Sequence, residues 1–343
     1  MRTLDLTPSA IPEHRRAMRA GAFLKSQWFS LSLVLLIILT GLRPALSSAL
    51  SDAGWPRSSA IAMIFFLAGL NMPARESLQG LANWRLHLSV QAFCYIAIPL
   101  LTWALVRPFT SLLPDGLVMG FYLLAALPTT ISMCVVLTSL SGGNVSGSLF
   151  NAITGNLAGV IISPALLILL TGSGALQIDI DIPRVIAKLV FLTIAPLAIG
   201  QILRVASREA VAPLQKRSSI LTRFCILFIV YASLGSVFVT LAEGDVAPRH
   251  LYPLVLLLPI HLALLWIAWW LGKILHYSRE DRIAFLFCGP QKTLALAFPI
   301  IESVASDRPD LIGLASLPII VYHAFQLMAG SAVADRLARA RSV

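Results

Sequence analysis

The apolar runs of this sequence hold no aspartate or glutamate except at their ends. Only 16 acidic residues occur in 343, and each falls in a loop, a tail or the edge of a run. A proton relay across a membrane usually needs intramembrane carboxylates or histidines, and an all-protein site for a divalent cation needs carboxylates. Neither chemistry finds its acids at mid-span. Charge of either sign is scarce, at 12% of residues against about 25% in ordinary soluble domains. The longest polar interruption, Arg204 to Ser219, is too short to bury a core of its own. Cys94, Cys134, Cys225 and Cys288 all lie inside apolar runs and form no CxxC pair. They read as small buried hydrophobes rather than disulfides or metal ligands. Also missing are HExxH, GxSxG and a Gly-rich phosphate loop, and His261 and His323 stand without a partner at metal-ligand spacing. The chain reads as no enzyme, with no resident metal or cofactor.

What is present is hydrophobicity, at 57% of residues, with a mean hydropathy of +0.83. Apolar stretches long enough to span a bilayer recur at roughly 28–50, 57–73, 84–106, 116–140 and 145–171. In the second half they recur at 184–204, 219–241, 251–275, 282–303 and 309–332. Five plus five predicts an all-α polytopic membrane protein of ten helices, with repeats over 28–171 and 184–332 and a short tail over 333–343. Residues 1–27 carry several arginines ahead of an apolar run that lacks a small-residue cleavage site. This predicts a cytoplasmic basic arm before a retained first helix rather than a signal peptide.

The net charge of +10 does not point to nucleic acid, because the basic residues flank hydrophobic segments, where they set topology. With the N-terminus inside, eighteen of the 26 basic residues fall on the inner side and seven outside, with Lys292 in mid-span. Both termini are therefore expected in the cytoplasm, in the cell's inner membrane. The halves also correspond: Pro99 answers Pro259, Pro128 answers Pro290, and Pro164 answers Pro318. Five helices per half would invert the second against the first, the inverted repeat of secondary transporters, whose interrupted helices form a binding site near the midplane.

The chain is organised around Ala284 to Ile300, an apolar run interrupted by Gly289, Pro290, Gln291, Lys292 and Thr293. A lysine at mid-span costs about 2.5–3.5 kcal/mol on insertion scales, and some ten residues on either side, at about 1.5 Å each, keep its stem from reaching an interface. Glycine and proline beside it break the helix, which is tolerated at membrane depth only where the freed backbone is buried in protein or lines a cavity. A positive charge with helix-terminal N–H groups favours an anion.

Leu127-Pro128-Thr129-Thr130-Ile131-Ser132 forms the matching interruption. Its hydroxyls either repair the broken backbone or bind a ligand. After a tight turn at Ser141 to Gly143, Asn144, Ser148, Asn151, Gly155, Gly159 and Ser163 follow at spacings that place them on one helical face. Gly155, Gly159 and Ser163 read as close packing; Asn144, Ser148 and Asn151 need partners that either protein or ligand can supply. Gln91, His261, Tyr322, His323 and Gln326 form a second tier, each more often an interhelical hydrogen bond than a ligand contact.

The stretches NWRLHLSVQAF at 83–93, LPTTISMCVVLTSLSGGNVSGSLFNAITGNL at 127–157 and CGPQKTLALAFP at 288–299 resemble the bile acid:sodium symporter superfamily, in its SBF-like branch. The resemblance covers nearly all ten expected helices. It implies two inverted five-helix repeats forming a panel and a core domain, with broken helices four and nine crossing at Pro128 and Pro290. Taken with the mid-span lysine and the breaks, the resemblance leads to the expectation of a secondary active transporter of a small organic anion working by alternating access, with Lys292 neutralising the substrate and Thr129, Thr130, Asn144, Asn151, Gln291 and Thr293 beside it. It further implies a sodium site drawing on Ser132, Ser148, Asn144 and Gln291, sodium being the one coupling ion to consider. The family's glutamate position falls near Phe287, however, and Lys292 follows Gln291, so an ammonium stands where a bound cation is expected. The resemblance also allows an alternative attached to some eukaryotic members of the branch, a non-transporting membrane regulator of ion (calcium) homeostasis.

Overall fold

The computed structural model describes residues 54–72, 83–172, 182–242, 247–305 and 308–340, with parts of 29–47. The expected N-terminal arm, 1–27, lies outside the described residues. From residue 54 on, the described residues form thirteen α-helices: α1 Trp55–Asn71, α2 Trp84–Ala92, α3 Ile98–Val106, α4 Asp115–Ala126, α5 Ile131–Leu140, α6 Val145–Thr171 and α7 Ile182–Leu189. The second half holds α8 Ala195–Ala206, α9 Arg208–Ala242, α10 Leu257–Ile274, α11 Arg279–Cys288, α12 Ala297–Val304 and α13 Pro309–Arg339. There is no strand among the described residues.

Among the described residues, six continuous helical segments are long and apolar enough to cross a membrane, and α4 with α5, bent by 53° at their junction, make a seventh. The other expected spans differ for physical reasons. The first lies largely outside the described residues and α1 has only 17 residues, while the stretch at 282–303 is divided, as its interruption at Gly289 to Thr293 leads one to expect, into α11 and α12 by the eight residues Gly289–Leu296. The expected tail at 333–343 is mostly helix, because α13 runs on to Arg339.

Proline shapes several of these elements. It has no N–H and clashes with the preceding turn, so a helix that continues through it must adjust. Phe93–Ala97 and Val190–Ile194 widen into π-turns just ahead of Pro99 and Pro196, a usual way of absorbing such a defect. Pro164 and Pro318 sit inside the long helices α6 and α13. At Pro128 the helix ends: Leu127 is extended, with ψ 147°, as expected for a residue before proline.

Small residues let these helices approach closely. A Cβ at Gly69 would lie 2.1 Å from the Leu197 carbonyl oxygen, and one at Gly200 would lie 2.2 Å from that of Phe66, so α1 and α8 pack backbone to backbone. The most enclosed span is α13, which packs on α4, α9, α10, α12 and α5. A buried ion pair, Arg57 Nε to Glu302 Oε1 at 2.9 Å, ties the start of α1 to the end of α12.

Candidate functional site

The two interruptions meet. The Thr293 N–H donates to the Pro128 carbonyl at 2.8 Å, and Thr130 Oγ1 donates to Gln291 Oε1 at 2.8 Å. Thr130 also accepts from the Cys134 N–H and so caps α5. A mid-membrane break exposes backbone that must find partners in protein, and here the partners can be named.

At the first break, five consecutive carbonyls are served. Ser163 Oγ donates to Ala126 at 2.8 Å and Asn156 Nδ2 to Thr129 at 2.8 Å, both from α6. Pro128 takes the Thr293 N–H. Ala125 and Leu127 take the Lys292 ammonium, at 3.0 and 2.7 Å. The third ammonium contact is the Cys94 carbonyl at 3.1 Å, with Cys94 Sγ at 3.3 Å. A lysine ammonium has three protons, and three carbonyls take them. Lys292 is 3% exposed.

At the second break the partners come from α13. Tyr322 donates its hydroxyl to the Pro290 carbonyl at 2.6 Å, and His261 Nδ1, from α10, lies 2.8 Å from the Tyr322 hydroxyl oxygen. Gln326 clasps the Lys292 backbone, accepting from its N–H and donating to its C=O, both at 2.8 Å. His323 Nδ1 lies 2.8 Å from Gln326 Nε2.

Of the residues singled out in the sequence, Lys292, Thr129, Thr130, Gln291 and Thr293 line the meeting of the breaks, backed by His261, Tyr322, His323 and Gln326. Ser148 bridges Thr138 and Cys288. Asn151 and Gln91 pair within α6 and α2, Gln91 Nε2 donating to the Asn151 carbonyl at 3.2 Å. Two expected members lie elsewhere. Asn144 caps α6 and donates to Asp281 Oδ1 at 2.7 Å; twelve residues separate it from Asn156, about 18 Å along the helix. Ser132 is on the exposed face of α5. Asn156 is the contributor that the sequence reading passed over. It sits one residue off the polar stripe, and an amide in an apolar helix was the available signal.

Several buried atoms at the junction have no hydrogen-bond partner among the described residues: Thr129 Oγ1, Asn156 Oδ1, Gln291 Nε2 and His261 Nε2. Such atoms are costly to leave bare and are natural contacts for a polar ligand. A cavity of about 780 Å³ runs between α3, α4 and α10 and reaches the junction at Lys292 and Tyr322, within the size range of small-molecule sites. Its walls include Leu101, Leu105, Phe121, Leu124 and Ile260; Arg249 and His250 lie at one part of the lining, and Lys292 and Tyr322 at another.

Relatives match this chain over about nine-tenths of its length. The chain is 26% identical over 319 residues to sodium/bile acid cotransporter 7 of Danio rerio, covering 90% of this chain and 93% of that one. It is 30% identical over 318 residues to the uncharacterized protein PA2026 of Pseudomonas aeruginosa, covering 91% and 93%. It is 26% identical over 318 residues to the putative symporter YfeH of Escherichia coli, covering 91% and 92%. The sequence model of the SBF-like CPA transporter family matches residues 27–339, a stretch that takes in both breaks and the helices that close them. An integral membrane protein with apolar spans, two breaks that meet and a match across that length, this chain belongs to the SBF-like CPA transporter family.

Proposed function

We propose that this protein is a secondary active transporter that moves a small organic anion across the cell's inner membrane by alternating access. The observation that carries this reading is the 780 Å³ cavity, apolar along its walls and lined by cationic Arg249 and Lys292. That lining suits an amphipathic anion: apolar area for the body and positive potential for the headgroup. The ammonium spends its three protons on carbonyls, so it acts on an anion through its field, while Thr129, Gln291 and Asn156 offer the unpartnered polar atoms. Asn151, Thr130 and Thr293 hold the frame around them.

The reading includes ten spans in two inverted repeats, forming panel and core, with both termini cytoplasmic. The matched prolines support the repeat: Pro128 and Pro290 both stand at breaks, Pro164 and Pro318 both inside long helices, and Pro99 and Pro259 both just past a non-α segment. The names of the relatives, a sodium/bile acid cotransporter and a putative symporter, are in keeping with an anion carried by a membrane cycle.

The test is a thermal-shift screen of the purified protein in mild detergent against amphipathic carboxylates and sulfates, each paired with its neutral alcohol, followed by uptake into proteoliposomes. Stabilisation by anions over their alcohols, with saturable uptake of the best one, is the expected result. Equal response to anion and alcohol would overturn the reading.

A further inference from the structure

We propose that the Lys292 ammonium is a tethered replacement for a coupling cation, seated in a monovalent-cation site made of the main-chain oxygens of Cys94, Ala125 and Leu127. The inference rests on the reading of the broken helices as a transport site and assigns that site its cation.

The three oxygens are free for a reason written in the sequence. Around Cys94 the chain is a π-turn, and the Ile98 N–H reaches back to Phe93. The i+5 donor for Cys94 would be residue 99, which is proline and has no N–H. Ala125 and Leu127 lie at the end of α4, where the last carbonyls of any helix lack intrahelical partners and Pro128 stops the next turn. Three neutral oxygens, two of them at the C-terminus of α4, which carries about half a negative charge, converge at 2.7 to 3.1 Å on one point. Rings of backbone carbonyls of this kind replace the hydration shell of an alkali ion.

The cation in that ring belongs to neither segment that forms it. Lys292 arrives from the second break, whose backbone is pinned one residue on by the Thr293 to Pro128 bond. The ammonium is thus shared between the two breaks, so that the occupancy of the ring bears on where the second break sits. A diffusible ion in that position would leave and return with each cycle. A tethered one stays, holds its positive charge beside the anion cavity and needs no sodium to do so. The expected consequence is anion movement without cation co-transport.

The experiment uses purified full-length parent and Lys292→Ala with no anion substrate added. Melting is followed in isotonic sodium, potassium, methylammonium and choline chloride. The parent should melt at one temperature in all four salts. Lys292→Ala should melt lower in choline, too large for the ring, and rise by at least about 2 °C in one or more of the small cations. If Lys292→Ala is recovered only as aggregate, Lys292→Met, which retains an apolar stem, is read in the same salts. Indifference of the folded variant to all four salts would show the ammonium to be a helix cap and nothing more. A parent stabilised by sodium over potassium and choline would equally overturn the proposal, since a separate sodium site would then exist. Failure of the anion screen alone leaves these readings standing, because they involve no anion.

Discussion

The first and second breaks arise from the same event, a proline in mid-span, but they are closed in different ways. Five successive carbonyls at the first, from Ala125 to Thr129, are served by α6, by the second break and by an ammonium. The second leans on one helix, α13, through neutral groups, the Tyr322 hydroxyl and the Gln326 amide, and on the first break itself through Thr293 and Gln291. The first is therefore fixed to its own neighbourhood from several directions. To the two neutral bonds that join the breaks, Lys292 adds a charged tie.

Removing that tie should have the largest effect. Hydrogen bonds to charged groups are worth about 1.5–3 kcal/mol each, so in choline Lys292→Ala should lose about 3 kcal/mol or more of stability, read as a lowered melting midpoint. A variant as stable as the parent would mean that the carbonyls rearrange to other donors and the comparison collapses. Next comes Gln326→Leu, which strips both bonds from the Lys292 peptide and should cost about 2 kcal/mol. Tyr322→Phe removes the donor to Pro290 and should cost about 1 kcal/mol, as should Ser163→Ala at the first break.

The finest test is a double-mutant cycle. Ser163→Ala with Tyr322→Phe should be additive within about 0.5 kcal/mol if the breaks are closed independently. Repeating it with Lys292→Ala in place of either partner should show coupling above that margin. Additivity in every combination would mean that the ammonium does not link the breaks. Ser132→Ala, on the exposed face of α5, should fall within about 0.5 kcal/mol of the parent and serves as the blank.

The breaks themselves were legible in the sequence because each depends on single residues. Pro128, Pro290 and Lys292 each announce a violation of the surrounding apolar helix, whatever the rest of the chain does. The partners of Lys292 were not legible, since Cys94, Ala125 and Leu127 contribute main-chain oxygens, and a main-chain oxygen has no letter in the sequence. Asn144 misled for a related reason: its place on the right face of α6 says nothing about height, and it is spent on Asp281 at the helix start. Hydropathy alone did not fix the helix lengths: α1 stops at 17 residues, and α13 runs past its apolar stretch to Arg339. The buried Arg57–Glu302 pair joins residues far apart in the chain, which no local pattern reveals.

The packing of α1 against α9 has a mechanical consequence. With 17 and 35 residues, the two rods are about 25 Å and 52 Å long, beside a hydrocarbon slab of about 30 Å. The long one overshoots, and its exposed Lys216 and Arg217 can ride in the aqueous layer at any tilt. The short one has less slack: its 17 residues stand at the lower end of the range that spans a bilayer, so membrane thickness bears on how α1 fits beside α9.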